Sequence, residues 1–153
     1  MKSLLAVAAA SAAFFAADAS AQNFSLNPNF GSVSLTAGFT PDPYTVQILS
    51  GGNIDSSMTI GGNCRGTITD APDFRLNYQA GSFDLFISAI SGGDTTLIIN
   101  APDGSWHCDD DSGGNLNPAI QFYGPMSGQY DIWIGSYSGG NHDATLRISE
   151  LGF

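Results

Sequence analysis

The sequence predicts an all-β protein, a sandwich or barrel of short strands. Three observations predict it. Segments rich in Thr, Ile, Phe and Tyr alternate apolar and polar residues, as half-buried strands do. Clusters of Gly, Asn, Asp and Ser separate them at regular spacing. No stretch of ten or more residues carries helical periodicity, and Glu and Lys are nearly absent. Layouts of parallel βαβ units are excluded, because no crossover helix is available.

The first element is an export signal rather than part of the fold. Lys2 supplies a positive start, and Leu4 to Ala17 is an uncharged apolar run too short to span a bilayer. Ala19-Ser20-Ala21 is a small-x-small cleavage site, so residues 1–21 form the signal and the mature chain starts at Gln22. Residues 22–153 then suit a single domain large enough to hold a core. No later segment is apolar enough for a membrane span, and the expected location is a periplasm or the extracellular space.

The strands follow in order. They are expected at Ser32 to Ala37, Tyr44 to Ser50, Gly66 to Thr69, Phe74 to Gln79 and Phe83 to Ser91. Five more are expected at Thr95 to Asn100, Ser105 to Cys108, Ala119 to Phe122, Gln129 to Ser136 and Ala144 to Leu151. Ser50-Gly51-Gly52-Asn53, Ser91-Gly92-Gly93-Asp94 and Ser138-Gly139-Gly140-Asn141 read as tight hairpin turns, where glycine permits positive φ. Phe83-Asp84-Leu85-Phe86-Ile87 and Tyr130-Asp131-Ile132-Trp133-Ile134 each lead into such a turn, like one unit used twice. Phe83, Leu85 and Ile87 in one copy, and Tyr130, Ile132 and Ile134 in the other, read as the core face. The opposite face carries an acid and an aromatic in both.

Charge narrows the partners. Asp18 leaves with the signal, so 13 acidic residues remain against Arg65, Arg75 and Arg147, for a net charge of −10 and no lysine. Three scattered arginines cannot neutralise a phosphate backbone, which excludes nucleic acid. Anionic membrane surfaces are disfavoured likewise. Cations, neutral glycans and basic proteins remain as ligands.

Two constellations bear on chemistry. Cys64 and Cys108 read as one disulfide in an exported chain. The run Asp109 to Pro118 offers the carboxylates of Asp109, Asp110 and Asp111 with the amides of Asn115 and Asn117. That composition fits a calcium site, although the spacing is not that of an EF-hand. It equally fits a solvated loop whose Asp and Asn side chains bond their own backbone. Trp106-His107-Cys108 and Asp111-Ser112-Gly113-Gly114 look like serine-protease signatures, but histidine and serine lie too close in too short a chain, so the match is spurious. No G-x-S-x-G elbow, phosphate loop or His-rich metal cluster is present. Trp106, Trp133 and Tyr137 are the candidate ligand-binding aromatics, able to stack on a sugar or anchor a protein.

The run from Cys64 to Leu151 resembles the bacterial pre-peptidase C-terminal domain. The resemblance is carried by Asp94-Thr95-Thr96-Leu97, Ala101-Pro102-Asp103-Gly104, Asp109-Asp110-Asp111 with Asn117-Pro118-Ala119-Ile120, and Ser127-Gly128-Gln129-Tyr130-Asp131-Ile132-Trp133-Ile134-Gly135. It implies an antiparallel jelly-roll-like β-sandwich of the kind that accompanies secreted enzymes, with relatives that bind polymeric substrates and are stabilised by calcium. No peptidase domain accompanies it here. The expectation is a non-enzymatic binding or accessory module for a glycan or protein. A small hydrolase and a surface or assembly component are the alternatives.

Overall fold

Period-two alternation sorts each strand into an inward and an outward face, and two sheets bury the inward ones against each other. The computed structural model describes residues 22–153; the expected export signal, residues 1–21, lies outside the described residues. The strands are β1 (Ser32–Thr36), β2 (Tyr44–Leu49), β3 (Ile54–Asp55), β4 (Thr67–Ile68), β5 (Phe74–Gln79) and β6 (Leu85–Ser91). They continue with β7 (Thr95–Asn100), β8 (Trp106–Asp109), β9 (Ala119–Phe122), β10 (Gly128–Ser136) and β11 (Asp143–Ser149). One helical turn, α1 (Ser56–Thr59), follows β3.

The larger sheet joins β1, β5 and β10 in order. β7 and then β8 follow on the far side of β10, while β4 pairs with β10 at Ser136, beyond the stretch that β5 occupies, and carries β3. The smaller sheet runs β2, β11, β6, β9. The protein is therefore the expected β-sandwich. Leu76, Tyr130, Ile132, Leu97 and Ile99 of one sheet meet Ile48, Leu85, Ile87, Leu146 and Ile148 of the other, all nearly or fully inaccessible. Close packing of this apolar surface is the main stabilising term.

Three expectations need correction. β1 pairs with β5 in parallel. A parallel pair needs a long crossover rather than a helix; here the chain passes through β2 of the smaller sheet before returning. Phe83 is not core but 49% exposed, because β6 begins only at Leu85. The Gly-Gly turns are not hairpins. Each joins one sheet to the other: β2 to β3, β6 to β7 and β10 to β11. In the last two, β6 pairs with β11 while β7 pairs with β10, so the similar segments are two arches packed in reciprocal fashion.

The glycines of these arches serve close approach as well as positive φ. A Cβ on Gly51 (φ +94°) would lie 2.2 Å from the carbonyl oxygen of Gly140, and one on Gly93 would lie 2.3 Å from the His142 ring. All three arches thus meet at one end of the sandwich. Ser50 N–H donates to the His142 carbonyl there (2.9 Å), and His142 N–H to the Ser50 hydroxyl (3.1 Å).

A second layer covers part of the larger sheet's outer face. It comprises the N-terminal segment and residues 52–66. Asp73, 1% exposed, sits at this junction. Its Oδ2 accepts the Ile134 N–H (2.7 Å), and its Oδ1 accepts longer bonds from Asn29 and Thr69. Burial pushes its carboxyl up to about 7 despite these bonds.

Candidate functional site

The two sheets end, on one side, in edge strands: β8 pairs only with β7, and β9 only with β6. Among the described residues no further strand covers either outer edge, and a cleft of about 500 Å³ opens there. Its walls are Ile60 to Cys64, β8 and the start of β9. Trp106, His107 and Asp109 face it, with Asn63 on the rim. Cys64 and Cys108 are disulfide-bonded across a sequence separation of 44, which ties the 60–64 wall to β8. The cleft is therefore shaped by a covalent link rather than by loop packing alone.

β8, the edge strand of the larger sheet, borders a small second core on that sheet's outer face. Ile68, Ile98 and Trp133 are fully buried there with Cys64, and Ile60, Trp106 and Cys108 pack on them. The Trp106 and Trp133 rings are 5.4 Å apart at a tilt of 44°. Trp133 is the floor and Trp106, half-buried, is the exposed wall. Trp133, a candidate ligand-binding aromatic, is instead 0% exposed and leaves no surface for a ligand to reach. The sequence period places it correctly on the outer face, but the disulfide-held 52–66 segment covers that face. Its indole N–H is buried without a partner. Tyr137 is 47% exposed but lies in the β10–β11 arch, where its N–H donates to the Asp94 carbonyl (3.0 Å). It does not line the Trp106 cleft.

The acidic loop forms one end of the cleft and is built as turn chemistry. Asp109 Oδ2 accepts the N–H groups of Ser112 (2.9 Å) and Ala119 (2.8 Å), and its Oδ1 accepts the Ser112 hydroxyl. One carboxylate thus closes the loop and fastens β8 to β9. Asn117 Oδ1 accepts the Ser91 N–H (2.8 Å). Asn115 and Leu116 take φ of +54° and +60°, which Asn tolerates and Leu does not favour. The Asp110 and Asp111 carboxylates accept no bond among the described residues, although the Asp111 carbonyl accepts the Gly114 N–H (2.9 Å). Desolvation, then the charges of Asp110, Asp94 and Asp109, raise the Asp111 pKa. The fold therefore does bring Asp94 to the loop. Among the described residues, however, no three His, Cys, Asp or Glu side chains are grouped as a metal site.

A second hollow of about 300 Å³ lies beyond the T-shaped contact of His107 with Phe122 (4.8 Å). Asp103, Ser105, Tyr123 (78% exposed) and Met126 line it. Ser105 donates its hydroxyl to Asp103 Oδ1 at 2.5 Å and contacts His107 Nε2 at 2.9 Å. Ser105 N–H also donates to Asp103 (2.9 Å), so this is an Asx turn. The hydroxyl proton is directed to Asp103, leaving His107 as donor to Ser105. A nucleophile needs the opposite arrangement, with histidine accepting the proton and an acid orienting the histidine. The Ser105 bonds, above all, keep the Asp103 carboxyl below its usual range.

Sequence reasoning found Trp106, Asp109, Cys64 and Cys108, and the fold brings these four together. It missed Asn63, Ile60 and the place of His107 in the cleft. The signal for the first two was the disulfide itself, which fixes the 60–64 segment beside β8. His107 was visible only as a neighbour of Trp106.

No family model matches the chain, and no curated protein matches its sequence. Among solved structures it is similar to PliG of Aeromonas hydrophila, a periplasmic lysozyme inhibitor of g-type lysozyme. The identity is 13% and the TM-score 0.39, over 78% of this chain and 96% of that one. A likeness of that degree says nothing about ligand or activity.

Proposed function

We propose that the chain is an exported, non-enzymatic binding module that holds a cationic protein segment in the cleft beside Trp106. The observation that carries this reading is the cleft's composition. Two edge strands, each paired with a single neighbour among the described residues, flank a half-buried indole, and extended peptides add to sheet edges in this way. The charge of −10, with Asp103, Asp109 and Asp110 along this side, favours a basic ligand and speeds its encounter. The disulfide fits an oxidising compartment, periplasmic or extracellular. The sandwich also fits kinship with pre-peptidase C-terminal domains, which stays part of this proposal.

The test is a titration of the mature protein with an extended decapeptide of alternating Lys and Thr, against a Glu-Thr control. Expected is saturable binding of the basic peptide only, weakened about tenfold by Trp106→Ala and weakened by salt. Equal binding of both peptides, or none, refutes the reading. Turnover of chromogenic esters, peptides or glycosides would favour the hydrolase alternative instead. Concentration-dependent light scattering would favour an assembly component.

A second reading concerns calcium. The charges of Asp94, Asp109 and Asp110 around Asp111 favour it, since a divalent cation would relieve their repulsion. A melting-temperature rise with millimolar CaCl₂ over EDTA, abolished by Asp110→Ala, would support it. Identical melts would leave the loop as turn chemistry.

A further inference from the structure

The outer face of the larger sheet has a region that residues 52–66 do not cover. Across β1, β5 and β10 the outward side chains form rows. Thr36 lies beside Gln79, and Ser34, Asn77 and Gln129 make the next row. Arg75 and Asp131 follow, with Asn100 of β7 beside Asp131. Two hollows cross these rows and share Gln129. One, of about 300 Å³, is lined by Ser34, Thr36, Asn77 and Gln79. The other, of about 360 Å³, is lined by Phe24, Asn100, Pro102 and Asp131.

The charges here are tied to one another. Arg75 Nε donates to Asp131 Oδ1 at 2.6 Å, and Gln129 Nε2 donates to Asp131 Oδ2 at 2.7 Å. Arg75 Nη2 donates to the carbonyls of Phe24 (2.5 Å) and Leu26 (3.0 Å). That guanidinium therefore pins the backbone under Phe24 while the Phe24 ring stays 51% exposed. Phe24 thus presents an apolar surface beside the polar rows of this face.

We propose that this face is a binding site for a neutral saccharide, distinct from the Trp106 cleft and independent of the cationic-segment reading. Three features select that chemistry. On a molecule of charge −10, the face carries one internally neutralised ion pair and otherwise only hydroxyls and primary amides. Among the described residues, an anionic polymer finds no free cation there, and a cationic one finds no unpaired carboxylate. Each amide and hydroxyl offers both a donor and an acceptor, as ring hydroxyls do. Asn100 donates to the Gly104 carbonyl (3.1 Å), leaving its Oδ1 as an acceptor. The Phe24 ring supplies the flat apolar wall on which the C–H face of a pyranose stacks.

The test is a ¹H–¹⁵N titration of the mature protein with three probes: cellohexaose, chitohexaose and maltoheptaose. Expected is that at least one shifts the side-chain amide signals of Asn77, Asn100 and Gln129. Its affinity should fall about tenfold in Phe24→Ala, be restored in Phe24→Tyr, and be unchanged in Trp106→Ala. Salt should leave it unaltered. No shifts with any probe overturns the proposal. So does binding that survives both Phe24→Ala and an Asn77→Ala/Gln129→Ala double variant of unchanged melting temperature. Binding lost in Trp106→Ala but kept in Phe24→Ala also overturns it, and would assign the sugar to the cleft.

Discussion

Asp73 gives a prediction whose sign and size both follow from its surroundings. Asp73 is 1% exposed, and burial pushes its carboxyl from the ordinary carboxylate range, near 3.8, up to about 7. Because the folded pKa is raised, the native state binds the extra proton between about pH 4 and 7. Stability from this group is therefore complete below pH 4 and is lost as pH rises toward 7. A shift of about three pH units corresponds to about 4 kcal/mol. Asp73→Asn keeps an acceptor for the Ile134 N–H and removes the ionisation. Urea unfolding of both proteins from pH 4 to pH 8 measures the difference, in which all other titrations cancel. The variant should match the wild type near pH 4 and exceed it by up to about 4 kcal/mol at pH 8. A pH-independent difference would refute the reasoning. So would a wild type that gains on the variant as pH rises, since that is the signature of a stabilised carboxylate.

Other perturbations follow from the same structure. Replacing Cys64 and Cys108 with serine removes a link across 44 residues and should cost about 4 kcal/mol in the chain-entropy model, read as a lower melting temperature under non-reducing conditions. Trp133→Ala empties the centre of the outer cluster and should cost about 3–5 kcal/mol by urea unfolding; a loss near zero would mean that the second layer carries no stability. Gly51→Ala drives a methyl into the Gly140 carbonyl and strains a left-handed backbone, so it should cost more than about 2 kcal/mol in the same assay.

The strands were legible because alternation is a local property. Phe74–Gln79, Thr95–Asn100 and Ala119–Phe122 fall where the pattern places them. Their partners were not, because alternation fixes a strand's faces but not its sheet. Gly51-Gly52, Gly92-Gly93 and Gly139-Gly140 permit a hairpin or an arch equally well, and only the packing of both sheets decides. Trp133 shows the same limit for the site. Its outward direction could be read, but its burial depends on a disulfide-held segment some 70 residues earlier in the chain, about the span from Cys64. The outer-face site was invisible for a related reason. Its Asn and Gln residues come from different strands, with Phe24 held over them by Arg75.

The most direct test of the cleft follows its two tryptophans separately. Trp106 lines the cleft and Trp133 is sealed beneath it. Acrylamide quenching of the mature protein should therefore show one accessible and one protected indole. Saturating Lys-Thr decapeptide should protect the accessible one, and Trp106→Phe should remove that component altogether. Protection of Trp106 on peptide binding is what the account predicts. Peptide binding that leaves Trp106 as accessible as before would contradict it and move the site elsewhere on the molecule.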